Sequence, residues 1–281
     1  MKVSISCITY NHGQFIEQTI QGFLIQKVNF ELEIIIYNDA STDATKAIIE
    51  KYALLYPGII QAKHHETNIG MMKNFIQALH PCTGQYIALC EGDDYWTDPL
   101  KLQKQVDYLE SNPSVSLCFH PVYGLHGNSQ IFNVTNIPAD RLSYTFNDII
   151  KLNIIPTCSV VYRNSFSVPD WFEKLPFGDM GLYFLCSKFG SFGLITETMA
   201  VYRINSGGVW TSLGKLTQFE KLYTFMNILY KYSNHQERRE IKKSMKRSIS
   251  HIMAIKYPSN KISRNFLKGL WYVRKNLFFL E

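Results

Sequence analysis

No apolar run in the chain reaches the roughly 18 residues needed to span a bilayer. Met1-Lys2-Val3 leads directly into strand-like sequence instead of a secretory leader, so the protein is expected to stay in the cytoplasm where it is made. Cysteine is sparse, and Cys7, Cys82, Cys90, Cys118, Cys158 and Cys186 show no Cys-x-x-Cys spacing. That excludes a zinc ribbon or disulfide framework and predicts reduced, buried thiols. Charged residues are only 19% of the chain against 46% hydrophobic, a balance that excludes extended disorder. The 281 residues suffice for one large domain, with or without an appendage, around a sizeable core.

The net charge of +6 hides an asymmetry. Residues 215–281 carry 15 Lys and Arg against 4 Asp and Glu, a balance of +11, and residues 1–214 carry 14 against 19, a balance of −5. The basic charge belongs to the tail, and no recognised nucleic-acid motif accompanies it.

Ile87-Ala88-Leu89-Cys90 reads as a buried strand that ends abruptly in Glu91-Gly92-Asp93-Asp94. Adjacent carboxylates at a strand end repel unless a positive charge sits beside them. A hard divalent cation satisfies such a pair, because it takes oxygen ligands and commonly combines one or two carboxylates with substrate phosphates. Ligands of open α/β sheets bind beyond the carboxyl ends of the strands, which is where these acids fall. A second reading stays open, in which Gly92 bends the chain and the two Asp residues cap the next helix. Asp98-Pro99 offers a separate cap for that helix.

Upstream, residues 3–9 read as a first strand ending in the turn Thr9-Tyr10-Asn11-His12-Gly13, with helical spacing from Gln14. Residues 34–37 form a second strand, ending at Asn38-Asp39, with a helix from Ala44. A third strand over 58–63, a loop through Asn68-Ile69-Gly70 and a helix over 72–79 follow. Alternation at this spacing predicts βαβ units in a mainly parallel, doubly wound α/β sheet. Right-handed crossovers would bring Thr9, Tyr10, Asp39, Asn68, Asp93 and Asp94 to one edge.

Ser-Cys-Ile-Thr-Tyr-Asn at 6–11, Asn-Asp-Ala-Ser-Thr-Asp at 38–43, Asn-Ile-Gly at 68–70 and Glu-Gly-Asp-Asp-Tyr-Trp at 91–96, in this order, resemble family 2 glycosyltransferases of the GT-A fold. Leu175-Pro-Phe-Gly-Asp179 and the run from Met199 to Trp210 look like later stations of bacterial members that build surface polysaccharides. The resemblance covers residues 3 to about 212. It implies a GT-A domain over 1–212, with a nucleotide-binding half over 1–120 and an acceptor half over 121–212, followed by a basic helical region over 213–281.

The resemblance also implies roles. Thr9, Tyr10 and Asn11 would hold a uracil ring, with Tyr10 offering a flat face for stacking. Asp39 would accept from a base N–H, Asn68 and Gly70 would complete the donor site, and Lys73 would neutralise phosphate charge or stay solvated. Asp94 would ligate Mg2+ or Mn2+, and Asp93 would hold the ribose or a metal-bound water. Asp179 would be the general base of an inverting transfer, and it also suits the cap of a helix starting near Met180. Ser41 and Asp43 read as caps. Gly178 stands where relatives often carry Glu, and Asn205 where many carry His; Asn205 is therefore a weaker oxygen ligand or none. Gly207-Gly208 before Trp210 reads as a loop able to close over the donor, or as a plain turn. Trp96 and Trp171 suit stacking on sugars, although most aromatics serve the core.

The expected activity is a metal-dependent glycosyltransferase moving a hexose-type sugar, UDP-linked, to a lipid-linked or oligosaccharide acceptor in bacterial surface glycan synthesis. Alternatives are a catalytically impaired sugar-nucleotide- or membrane-binding partner, and a nucleotidyltransferase. Against the last, the turn at 9–13 is not a Gly-rich, Arg-containing phosphate loop. Basic amphipathic helices around Phe219–Tyr230, Ile241–Ile252 and Phe266–Tyr272 could lie on the cytoplasmic face of the inner membrane, or pack on the catalytic domain with a solvated basic face.

Overall fold

The computed structural model describes residues 1–127, 130–133, 137, 141–152, 155–204, 208, 210 and 212–256. The chain divides into two compact units, Met1–Glu173 with Phe177–Asn205, and Lys174–Pro176 with Ser206–Glu281.

In the first unit, β1 (Lys2–Thr9), α1 (Ile16–Leu24), β2 (Glu31–Asn38), α2 (Thr45–Leu55), β3 (Ile60–His64), α3 (Met71–Leu79) and β4 (Tyr86–Leu89) alternate as expected. Next come β5 (Tyr95–Trp96), α4 (Lys101–Ser111), β6 (Val115–Phe119), β7 (Tyr123–His126), β8 (Gln130–Asn133), β9 (Ser143–Tyr144) and α5 (Phe146–Leu152). The unit ends with β10 (Val161–Arg163), α6 (Asp179–Cys186), β11 (Ser191–Leu194) and β12 (Ala200–Ile204).

The described strands build an eight-stranded sheet in the order β3-β2-β1-β4-β10-β6-β11-β9. β1 pairs in parallel with both β2 and β4, so the chain steps outward through β2 and β3 and then returns to the other side of β1. That reversal makes the gap between the carboxyl ends of β1 and β4 a switch point, where neither crossover covers the strand ends. β10 enters antiparallel between β4 and β6, and β9 closes the far edge antiparallel to β11.

A smaller sheet runs β5-β12-β7-β8, with β12 antiparallel to β5 through Ala200↔Trp96 and Val201↔Tyr95. It draws β12 alongside the residues that follow β4.

Both faces of β1, β2 and β4 are buried: Val3, Ile5, Cys7, Ile34, Ile36 and Ala88 line one, and Ser4, Ser6, Ile35, Ile87 and Leu89 the other. α1 turns Ile16, Thr19, Ile20, Gly22 and Phe23 inward. Gly22 is needed for that approach, because a Cβ there would stand 3.0 Å from the backbone N and O of Trp96. All six cysteines are free and buried, as expected.

Several starts differ from the expectation, among them α1, which begins at Ile16, and β2, which begins at Glu31, three residues early. β3 begins at Ile60, two residues late, and α4 begins at Lys101 instead of at Pro99. Asp98 closes a turn of its own: its Oδ1 accepts from the Leu100 N–H at 2.8 Å and its carbonyl from the Lys101 N–H at 3.2 Å.

The second unit is described through α7 (Lys215–Lys231) and α8 (His235–Lys256). They run antiparallel, with Phe219 stacked on His251 at 4.5 Å and Glu220 paired with Lys256 at 2.8 Å. A reciprocal cap starts α8: Asn234 Oδ1 accepts from the Glu237 N–H, and Glu237 Oε2 from the Asn234 N–H, each at 2.9 Å. The expected third helix over 266–272 lies outside the described residues.

One buried acid in the first unit has a measurable consequence. Glu33 is 4% exposed. It accepts from Ser4 Oγ at 2.5 Å and from the Thr83 N–H at 2.7 Å, and it pairs with Lys2 at 2.5 Å. Burial alone would raise its pKa, but the Lys2, Ser4 and Thr83 donors outweigh burial and hold it at about 2. The folded value lies below the unfolded one, so this stabilisation is present above the unfolded pKa and is lost as pH falls through the folded value. Its loss is expected to remove on the order of 3 kcal/mol of stability between about pH 4.5 and 2. Urea denaturation of Glu33→Gln should show a shallower acid slope over that range; an unchanged slope would refute the assignment.

Candidate functional site

The loops after β1 and β2 are stitched together. The Asp39 N–H donates to the Thr9 carbonyl at 3.0 Å. The Asn11 N–H donates to Ser41 Oγ at 2.8 Å, and Asn11 Oδ1 accepts from the Thr42 N–H at 2.9 Å. Asn11 and Ala40 both have φ of 55°, the left-handed conformation that a crossed pair of tight turns requires. Asn11 thus ties the two loops together, and Ser41, expected as a cap, serves the same seam.

Asp43 does meet its expectation: its Oδ1 accepts from the Thr45 N–H at 2.9 Å at the start of α2. Its Oδ2 also holds the Gly13 N–H at 2.8 Å. Tyr10 is 45% exposed beside this seam.

Asp39, Asn68 and Gly70 converge. Asp39 is buried, and its two carboxylate oxygens accept from the N–H groups of Ile69 (2.8 Å) and Gly70 (3.0 Å). Gly70 has φ of 88°, which favours glycine at this clamp. Each Asp39 oxygen keeps one further lone pair for another donor.

The acid loop presses on the end of β1. The Gly92 N–H donates to the Ile8 carbonyl at 2.9 Å, and a Cβ at Gly92 would stand 2.5 Å from Thr9 Oγ1, so only glycine allows the approach. The buried Thr19 hydroxyl of α1 donates to the Asp94 carbonyl at 2.6 Å.

Asp94 is 1% exposed. Its Oδ1 accepts from the Arg203 N–H at 2.8 Å. Its Oδ2 is buried without a hydrogen-bond partner of ordinary strength, the Cys158 thiol beside it being a weak donor. Burial first, and then repulsion from Asp93, push the Asp94 carboxyl well above the carboxylate range. Burial and then Asp94, Asp93 and Asp179 do the same to Glu91. Glu91, Asp93, Asp94 and Asp179 therefore share one region.

Asp179 opens α6, and its Oδ1 accepts from the Met180 N–H at 2.8 Å. The helix-start reading and proximity to the acid loop hold together. Burial raises its pKa. Gly178 before it is explained by Phe75 of α3, because a Cβ at 178 would stand 2.7 Å from that ring.

Lys73 lies on the same helix, more than half exposed, with its ammonium 3.5 Å from Glu173. Trp96 belongs to the core instead of a sugar platform. It is 2% exposed, its Nε1 donates to the Cys158 carbonyl at 2.8 Å, and the buried Lys101 ammonium rests 4.0 Å from its ring. Trp171 remains partly exposed beside Phe172 and Phe184. Asn205 and Gly207 lie outside the described residues.

Two neighbours of the acids carried no role in the sequence reading. His12 Nε2 stands 3.9 Å from Asp93 Oδ2, and burial lowers its pKa against the pull of Asp93. Arg203 is 8% exposed on β12. A charge inside Ala-Val-Tyr-Arg-Ile was the signal for it, since buried arginines need partners.

Among the described residues, no three His, Cys, Asp or Glu side chains form a preformed metal cage. A cation that shares its shell with substrate phosphates needs only one or two carboxylates. The oxygen-only pair Asp93–Asp94, with Asp94 Oδ2 lacking a strong donor, fits that chemistry.

Residues 4–167 match the family model for glycosyl transferase family 2. An uncharacterised protein of Mycobacterium tuberculosis is 40% identical over 210 residues, 75% of this chain and 61% of that protein. The chain thus spans about three fifths of that relative's length. Two solved structures share the fold. The S. aureus TarS fragment 1–349 in complex with UDP-GlcNAc is 17% identical with a TM-score of 0.58, over 90% of this chain and 82% of that one. The Pyrobaculum calidifontis mannosyltransferase PcManGT in complex with GDP-Man and Mn2+ is 14% identical with a TM-score of 0.62, over 97% and 80%.

Proposed function

Because the chain belongs to glycosyl transferase family 2, we propose that it moves a hexose-type sugar from a nucleotide sugar, UDP-linked, to a lipid-linked or oligosaccharide acceptor of a bacterial surface glycan, with inversion at the anomeric carbon. The observation that carries this reading is the acid pair at the β1/β4 switch point, with Asp94 Oδ2 meeting no donor stronger than the Cys158 thiol and Asp179 near enough to perturb Glu91. The nucleotide sugars bound to TarS and PcManGT support such a donor.

In this reading the exposed Tyr10 ring stacks on the base, and Asp39 lends a spare lone pair to a base N–H. Asp93 and Asp94 would hold Mg2+ or Mn2+, which when bound supplies Lewis-acid stabilisation of the departing diphosphate. Asp179 takes the proton of the acceptor hydroxyl through Oδ2, since Oδ1 is engaged by the Met180 N–H. Its raised pKa makes the ionised form a stronger base than a solvated carboxylate, so turnover is expected to fall as pH drops through that raised value. Asp179→Ala should lower UDP release in the presence of an acceptor extract by about 10²- to 10⁴-fold, with UDP affinity by titration calorimetry nearly unchanged. Equal release by the two proteins would remove Asp179 as base. UDP binding without release by the wild type would favour the impaired-partner alternative.

The second unit favours contact with an anionic membrane surface. Arg238, Arg239, Lys242, Lys243, Lys246 and Arg247 are exposed along one side of α8, opposite buried Ile241, Ser244, Ser248 and Ile252. The apolar stripe of α8 is buried within the protein, so insertion of these side chains into lipid, expected from the sequence, gives way to electrostatic adsorption. No described helix is long and apolar enough to cross a membrane. In liposome flotation the chain should rise with anionic vesicles at low salt and stay at the bottom at moderate salt. Failure to float at low salt would refute the contact.

A further inference from the structure

We propose that Arg203 is a positioning residue: its backbone N–H holds one oxygen of Asp94, and its guanidinium braces the Asp93–Asp94 loop from behind without occupying a carboxylate. The inference deepens the glycosyl-transfer reading and rests on it for its catalytic meaning. The β5–β12 ladder ends at Val201↔Tyr95. Beyond it the Arg203 N–H finds Asp94 Oδ1 in place of a strand carbonyl. The side chain then turns back over the loop. Its guanidinium lies between the rings of Phe15, 4.9 Å away, and Tyr95, 4.5 Å away. Nη1 donates to the Asp93 carbonyl, and Nη2 to Gln18 Oε1.

One planar cation thus joins α1, the acid loop and β12. Every side-chain partner of the guanidinium described here is neutral: a backbone carbonyl, an amide oxygen and two ring faces. The charge lowers the electrostatic cost of gathering the acids, while the guanidinium leaves Asp94 Oδ2 without an N–H donor. An ammonium cannot reproduce this arrangement, because it lacks the flat fork that stacks and donates in two directions at once. Thr19 braces the same loop from α1 through the Asp94 carbonyl. Without Arg203 the two carboxylates lose their fixed spacing, and misplacement of about 1 Å at a reacting site costs on the order of 10²-fold in rate.

The test compares the wild-type full chain with Arg203→Lys and Gln18→Ala. Hydrogen exchange of the ligand-free proteins should be about tenfold faster in Arg203→Lys over residues 91–97, with β2 and β3 unchanged. Gln18→Ala, which alters an exposed side chain, should shift the same segment less. Titration with UDP, with and without Mn2+, should show the Mn2+-dependent gain in affinity cut at least about tenfold in Arg203→Lys while metal-free UDP affinity is kept. Wild-type exchange over 91–97 in a folded Arg203→Lys protein, or a full Mn2+ gain, would overturn the proposal. If Arg203→Lys does not fold, unchanged exchange in Gln18→Ala would overturn it instead. If the wild type binds no UDP, the functional reading falls, and the ligand-free exchange still decides the clamp.

Discussion

Repulsion among carboxylates is the constraint around which this chain is built. Glu91, Asp93 and Asp94 follow one buried strand within four residues, and Asp179 comes close enough to raise the Glu91 pKa. Water would screen such a group cheaply, but Asp94 is withdrawn from it. Folding must therefore hold like charges together and out of solvent, which is stable only when compensating interactions surround them. In the proposed reading, that costly arrangement at a topological switch point is where a cation-bearing ligand binds.

The surrounding structure supplies the compensation in small parts. Gly92 lets the loop settle on Thr9, Gly22 lets α1 approach Trp96, and Thr19 takes up a loop carbonyl. The short β5–β12 pairing brings an arginine to the far side. A second layer of polar stitching, from Asn11 to Ser41 and Thr42 and from Asp39 to Ile69 and Gly70, fixes the neighbouring loops in relation to β1. The site is thus framed by contacts between strand ends that are distant in sequence, and its precision depends on the sheet being complete.

The alternating strands and helices up to residue 90 were legible in the sequence because each element carries its own periodicity and its own turn. The glycines and acids at the strand ends were legible for the same reason. The antiparallel entry of β10 between β4 and β6 was not, since a three-residue strand has no periodicity to read. The partnership of β5 with β12, two and five residues long, was hidden likewise. Arg203 therefore stood within the run from Met199 to Trp210 without a role. Trp96 looked suited to a sugar face until its burial against Phe23 and Lys101 placed it in the core. For α8, the apolar spacing was readable but not its target: the same stripe suits a lipid surface or a protein core, and only the structure shows it buried within the protein.

The central claim is that Asp94, with Asp93 beside it, receives a metal–diphosphate at the β1/β4 edge. A crystal structure of the full chain grown with UDP and Mn2+ tests it directly. The account expects anomalous density for manganese about 2.0–2.3 Å from an Asp94 carboxylate oxygen, with the diphosphate completing its shell. Manganese and nucleotide bound together elsewhere, with Asp94 Oδ2 still buried and unliganded, would contradict it.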